Sequence, residues 1–360
     1  MTRPDMLPLI VGIASPVLSP EEEALFRRFR PAGYILFGRN VKTPAQVRSL
    51  TDSLRRLSED FSPIICMDQE GGRVSRIGAL GIALPSAEIL ADQPSAIAEA
   101  AVLTAEALSL LGVTLNLAPV VDIFRGHSNA LPSRCWGRSA KEVIRKAGRY
   151  NRALNEAGLA SCLKHFPGMG QANEDPHFRL PVVAASLSEL NRTDLLPFRS
   201  LLPEAPAVMI SHILLPSVDE RAPASLSSVL VRDLLRTRLG YGGLVLTDDL
   251  CMGAISRQIA PADACVAALR AGNDLPLLCH DVPSHLPAAA ASLAQLLPKE
   301  LAEGADRISG LLSACDFPPM DPDQWAILQR RSHALMAQMP EPREAGAAFS
   351  PVQDYLITDL

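Results

Sequence analysis

The chain has 360 residues, of which 48% are hydrophobic and 20% charged, with a net charge of −5. That is enough apolar material for a large core in one big α/β domain or two ordinary ones. It excludes a basic footprint for nucleic acid, since no Lys/Arg cluster with interleaved aromatics occurs, and points to a small-molecule ligand. No apolar run reaches the length of a membrane span. Residues 1–8 show no basic start followed by an apolar core and a small-residue cleavage site. The seven cysteines (Cys66, Cys135, Cys162, Cys251, Cys265, Cys279 and Cys315) are odd in number, scattered and without a C-x-x-C pair. They read as buried thiols of a reducing compartment, without metal or disulfide roles. A cytoplasmic monomer with no metal and no cofactor is expected.

Taken in order, short apolar runs alternate with amphipathic Ala/Leu-rich stretches, the signature of repeated βα units and a parallel sheet. Strands are expected at 7–14, 33–37, 63–67, 113–121, 160–164, 207–212, 243–247 and 274–279. Helices are expected at 44–59, 93–111, 141–157, 187–201, 226–239 and 261–271. Eight βα repeats in about 300 residues fit a single (β/α)8 barrel over 1–315 better than a doubly wound sheet. No G-x-G-x-x-G or P-loop is present to argue for a nucleotide. Residues 316–360, rich in Pro and Ala, read as a terminal helix and an irregular tail.

A barrel builds its site at the C-terminal ends of its strands. The third strand ends in Asp68-Gln69-Glu70-Gly71-Gly72-Arg73-Val74-Ser75-Arg76, and the fourth is followed by Asp122 and then Arg134. The fifth delivers Lys164 and His165, the sixth Ser211-His212, and the seventh Thr247-Asp248-Asp249. Each alone has an ordinary structural explanation as a helix cap, a surface charge or a satisfied core histidine. Independent caps have no reason to gather at one barrel end, so the convergence argues for a site.

The loop after the fifth strand, 164–177, is the most informative stretch. It sets Lys, His, Asp and His among glycines and prolines, as positioned charges on a loop of special backbone geometry would require. Metal-ligand spacing and a G-x-S-x-G elbow are both missing. What remains is a strand-end carboxylate, Asp248, and an Asp-x-His pair, Asp175 and His177. A carboxylate nucleophile with a separate proton donor is the minimum equipment of a retaining glycoside hydrolase. Asp175 can hold the His177 imidazole in one tautomer for proton transfer near neutral pH. Asp68, Arg134, Lys164 and His165 are suitable partners for sugar hydroxyls.

Six ordered motifs carry a family resemblance. They are Asp-Gln-Glu-Gly-Gly-Arg-Val-x-Arg at 68–76, Lys-His-Phe-Pro-Gly-x-Gly at 164–170, Asp-x-His at 175–177, Ser-His-Ile at 211–213, Pro-Ala-Ser-Leu-Ser at 223–227 and Thr-Asp-Asp-Leu-x-Met at 247–252. Over residues 7 to 280 the chain resembles the bacterial β-N-acetylhexosaminidases of glycoside hydrolase family 3. The resemblance implies a (β/α)8 enzyme that removes terminal non-reducing N-acetylglucosamine, typically from muropeptides carrying 1,6-anhydro-N-acetylmuramic acid during cell-wall recycling. It further implies Asp248 as nucleophile, His177 as general acid/base and Asp175 as its partner. Asp68, Arg76, Arg134, Lys164 and His165 fall on its sugar-binding positions, with His212 and Met252 nearby in the pocket.

This chain departs from the family pattern in places. Met169 stands where members carry a second histidine, Pro176 where they carry serine, and Arg134-Cys135-Trp136-Gly137 where they more often have Arg-Ser-Phe-Gly. Proline restricts the loop that carries His177, and Pro276 forfeits a ladder donor inside the eighth strand. Three competing readings stay open. One is a β-glucosidase or β-xylosidase of the same superfamily, which usually needs a second domain with a Glu acid/base. Another is a phosphorylase, because a neutral histidine does not repel phosphate. The third is a barrel that binds sugar without turnover.

Overall fold

The computed structural model describes residues 6–340 apart from 59, 127–129, 297 and 314–317. Eight parallel strands close into a barrel in chain order: β1 (Leu7–Gly12), β2 (Pro31–Leu36), β3 (Ile64–Met67), β4 (Leu115–Asn116), β5 (Ala160–Phe166), β6 (Ala207–Ile210), β7 (Leu244–Asp249) and β8 (Leu275–Leu278). This is the (β/α)8 architecture expected. The strands read as unbroken apolar runs because both faces are covered. Ile10, Ile64, Cys66, Leu244, Leu246 and Leu277 point into the barrel interior. Their neighbours Leu9, Val11, Ile65, Met67, Val245 and Leu278 face the surrounding helices. At the closing seam a Cβ on Gly12 would stand 2.2 Å from the Cys279 carbonyl, so only glycine lets β1 approach β8 there.

β4 is shorter than the expected 113–121. Pro119 has no N–H to give, and the regular ladder stops at Asn116. The segment still follows β5, with Cys162 N–H donating to the Ala118 carbonyl at 3.0 Å and Val121 N–H to the Lys164 carbonyl at 2.6 Å. Pro276 also finds an account. Leu277 and Cys279 turn their N–H groups toward β7, onto Thr247 Oγ1 and Asp249 Oδ1. Pro276, directly before Leu277, therefore turns its nitrogen toward β1, where pairing involves only Leu277 and Leu278.

Several helices differ from expectation. Pro20–Phe29 was not anticipated, although Ser19 and Glu22 form a capping box with Pro20 at the first turn. The stretch 187–201 is two helices, Leu187–Arg192 and Leu195–Leu201, broken at Thr193 and Asp194. Asp194 turns its carboxylate to Arg125, Gln171 and Thr193 instead of continuing the helix. The 226–239 stretch contains a π-helix over Val229–Arg238. Pro298–Ser313 runs under the barrel, where Ile308 and Leu311 close the interior from below.

Helix Pro322–Met336 packs on the barrel's flank. Trp325 Nε1 and Gln329 Nε2 donate to the Leu80 carbonyl at 3.3 and 3.0 Å, and Ser332 Oγ donates to that of Ala83 at 2.5 Å. Six of the seven cysteines are free and buried, and Cys315 lies outside the described residues. Most of the expected irregular tail, 341–360, lies outside them too. Among the described residues no helix is long and apolar enough to cross a membrane.

Candidate active site

The C-terminal strand ends surround a cavity of about 170 Å³. Its floor is a buried chain of charges. Lys164, at the end of β5, places Nζ 2.7 Å from Asp68 Oδ1 and 2.6 Å from Glu70 Oε1. Glu70 also receives Arg134 through two parallel bonds of 2.8 Å, the fork geometry that only a guanidinium supplies. Burial pushes the Glu70 carboxyl up, but Arg134 and Lys164 outweigh it and hold the group far below the usual carboxylate range. Burial pulls Lys164 down, and Asp68 and Glu70 overcome that and raise it. The network therefore stays charged at neutral pH.

His165 is set by Asp122 from the end of the β4 segment. Its Nδ1–H donates to Asp122 Oδ2 at 2.7 Å, while Nε2 lies 3.4 Å from Arg134 Nη2. The other oxygen of Asp122 takes the Met169 N–H at 2.7 Å, so one buried carboxylate fixes both the histidine and the start of the loop after β5. Met169 itself is buried and lines the cavity. Trp136, two residues after Arg134, is buried against Tyr150 with ring centroids 5.2 Å apart.

Asp248 sits near the end of β7 with its Oδ1 accepting the Asp249 N–H at 2.8 Å. Burial pushes its carboxyl up, but His212, His165 and His177 around it outweigh that and keep it below the ordinary value. Asp249, which also lines the cavity, is tied to the backbone, its Oδ1 taking the N–H groups of Cys251 and Cys279 at 3.0 and 3.1 Å. The arm that follows β5 carries the Asp-x-His pair. His177 Nδ1 donates to Asp175 Oδ1 at 2.5 Å, and the same oxygen takes the His177 N–H at 3.0 Å. Burial raises the Asp175 carboxyl, whereas the hydrogen bond and charge of His177 lower it to a greater extent.

Asp68, Arg76, Arg134, Lys164, His165, Asp175, His177, Asp248 and Met252 all line this one cavity. His212 does not, which corrects its expected place among the sugar contacts. It is fully buried, with Nδ1 2.8 Å from Ser225 Oγ and Nε2 2.9 Å from the Asp249 carbonyl. A carbonyl only accepts, so Nε2 carries the proton and Nδ1 accepts from Ser225. Burial lowers the proton affinity of this imidazole. Both nitrogens are spent, Nε2 on the Asp249 carbonyl beside Asp248 and Nδ1 on the Ser225 hydroxyl.

Residues 16–309 match the family described as the glycosyl hydrolase family 3 N terminal domain. The chain belongs to glycosyl hydrolase family 3. Family 3 relatives include a beta-hexosaminidase of Pseudomonas aeruginosa (strain LESB58), 36% identical over 276 residues, 76% of this chain and 82% of that one. A beta-hexosaminidase of Chromobacterium violaceum is 33% identical over 350 residues, 94% of this chain and 96% of that protein. Among solved structures, NagZ from Neisseria gonorrhoeae in complex with N-trifluoroacetyl-D-glucosamine superposes with a TM-score of 0.80 at 28% identity, covering 93% of this chain and 99% of that one. The barrel is thus that of a family 3 glycoside hydrolase.

The family 3 pocket also contains residues that the sequence reading did not name as site members. Glu70 and Arg73 stood inside the first motif, and Glu70 was legible as a second carboxylate two residues from Asp68. Phe37, Met209, Leu277 and His280 line the pocket from β2, β6 and the end of β8. Phe37, Met209 and Leu277 carried no signal, because apolar strand ends look alike until the barrel closes, whereas His280, directly after the eighth strand, was legible as a strand-end histidine. Arg76 lies 5.8 Å above the Phe37 ring, buried, with its Nε lacking a protein partner. Among the described residues no group of three or more His, Cys, Asp or Glu is placed to hold a metal ion.

Proposed function

We propose that this protein is a retaining exo-β-N-acetylglucosaminidase that forms a covalent glycosyl ester on Asp248. The observation that carries the reading is an ionised strand-end carboxylate sharing one pocket with an Asp175–His177 pair. Asp248 attacks the anomeric carbon, and the glycosidic bond breaks as the His177 imidazolium gives its Nε2 proton to the leaving oxygen. Asp175 holds Nδ1 and so selects Nε2 for that exchange. Water then attacks the anomeric carbon of the ester, gives its proton to the same imidazole, and the carboxylate of Asp248 leaves. Asp68, Arg76, Arg134, Lys164 and His165 hold the sugar hydroxyls and the acetamido group, and Met252 supplies apolar wall.

The relatives' name, beta-hexosaminidase, supports the 2-acetamido sugar. The natural substrate in this reading is a muropeptide bearing N-acetylglucosamine on 1,6-anhydro-N-acetylmuramic acid, processed during peptidoglycan recycling by a cytoplasmic monomer. Residues 1–315 form its catalytic barrel and 316–360 its C-terminal helix and tail.

The test is release of 4-nitrophenol from the aryl β-N-acetylglucosaminide, run beside the matching β-glucoside. Wild type should turn over the first and far less of the second, and Asp248→Ala should lose ~10³-fold or more, as expected for a lost nucleophile. An inert wild type would leave only a sugar-binding barrel. Sugar 1-phosphate as the product in phosphate buffer would make it a phosphorylase instead.

A further inference from the structure

The proposed acid/base rides on an arm, and the arm is held by a turn outside the sugar pocket's charged floor. After Asp248 the chain passes Met252 and opens the short helix Gly253–Ser256. Backbone amides at such a start have no acceptor within their own helix. Here they find one in the arm: Gly253 N–H donates to the His177 carbonyl and Ala254 N–H to the Pro176 carbonyl, each at 3.1 Å. A second observation is independent of these bonds. A Cβ on Gly253 would stand 2.8 Å from the His177 carbonyl oxygen and 3.0 Å from that of Phe178. Gly253 is not among the glycines in the left-handed region, so its own backbone does not ask for glycine. Alanine would suit the helix better. What excludes a side chain is the arm itself.

We infer that Gly253 is a positioning residue for the reaction, forming a main-chain latch that seats Pro176 and His177 beside Asp248. The latch joins the two halves of the proposed chemistry, since the same turn follows the nucleophile and receives the arm. Downstream the arm is tied elsewhere, with Val183 N–H on the Leu214 carbonyl and Leu214 N–H on that of Pro181. Residues 176–177 are therefore the part that depends on the β7 turn. Pro176 fits this role because its carbonyl makes the contact and its missing N–H is not called upon.

The inference rests on His177 as the acid/base, and the test keeps the two apart. In full-length Gly253→Ala, kcat/KM should fall by ~10-fold or more on the phenyl β-N-acetylglucosaminide, a share of the 10²- to 10⁴-fold that general acid catalysis supplies. It should fall far less on the 2,4-dinitrophenyl glycoside, whose leaving group needs no proton. Sodium azide should accelerate the variant on that second substrate and yield the β-glycosyl azide. Azide attacks the anomeric carbon, the bond from that carbon to the Asp248 carboxylate oxygen breaks, and no base is required. An equal loss on both substrates without azide acceleration, or no loss, overturns the latch.

Amide exchange in wild type decides without any variant. Slow exchange at Gly253 and Ala254, protected by the arm's carbonyls, supports the latch, and rapid exchange at both overturns it. An inert wild type with slow amides would defeat the glycosidase reading while leaving the latch in place.

Discussion

At the residue scale, Glu70 shows how one side chain decides the shape of the pocket floor. It bonds Lys164 once and Arg134 twice, and all three are largely withdrawn from water. Two buried cations 2.6 and 2.8 Å from one carboxylate are stable only while that carboxylate is charged. Glu70→Gln keeps the volume and removes the charge. Its expected cost is about 3 kcal/mol or more, in the range for breaking a buried pair. Chemical denaturation of the two proteins at neutral pH measures it, and an unchanged midpoint would mean that solvent already screens the network. Residue spacing exposed Asp68, Lys164, Asp175, His177 and Asp248 as candidates, because charged groups at strand ends are conspicuous. It could not separate His212, which contacts backbone, from His165, which faces the cavity. Both are histidines at a barrel strand end, and only packing distinguishes them.

At the scale of elements, His212 joins β6 to the end of β7 through the Asp249 carbonyl and to the 224–226 turn through Ser225. This makes a prediction about acid stability. Burial holds the folded pKa of His212 below that of the unfolded chain, where it lies near 6.5. As pH falls below about 6.5 the unfolded state takes up the proton first, so stability contributed by neutral His212 is complete above that pH and is lost as pH falls. His212→Asn should therefore show a smaller drop in Tm than wild type between about pH 7.5 and about pH 5.5. Equal slopes would mean that His212 binds its proton alike in both states. The lowered carboxyls of Asp175 and Asp248 act in the same direction but at lower pH, below the ordinary carboxylate values near 4.

The same scale explains which elements were legible. Runs apolar on both faces announced the buried strands, and the eightfold βα alternation announced the barrel. Boundaries failed where a local polar demand overrode periodicity. Pro119 ended the β4 ladder early, and Asp194 broke the 187–201 helix to bind Arg125 and Gln171. The helix Pro20–Phe29 was readable from its capping box but carries few apolar residues, with only Glu22 and Phe26 buried along it.

For the molecule as a whole, the helix Pro322–Met336 shows how a segment beyond the 16–309 family match supports the site. Trp325 is buried and bonds the Leu80 carbonyl, Gln329 bonds the same carbonyl, and Ser332 bonds that of Ala83. Residues 77–84 follow directly from Arg76 in the pocket wall, so the helix braces the segment that presents that guanidinium. Arg331 adds an ion pair to Glu99 at 2.9 Å, exposed enough to contribute little. Trp325→Ala should cost about 3 kcal/mol or more from lost burial and the cavity left behind. Calorimetry measures it, and a Tm equal to wild type would show that the helix rides on the barrel without bracing it.

The sequence by itself determined the class of fold and the cast of charged groups. Short runs apolar on both faces, period-3.6 patterning and strand-end chemistry are local properties, written in consecutive residues. Only the tertiary structure decided which of those groups meet. Residues 68, 164 and 248 come together because barrel closure brings strands distant in sequence to one rim, a condition no single segment encodes. It also decided that His212 holds backbone, that Glu70 ties the cations together, and that Gly253 has space for an arm where a side chain would stand. Each of these is a matter of distance between segments far apart in the chain.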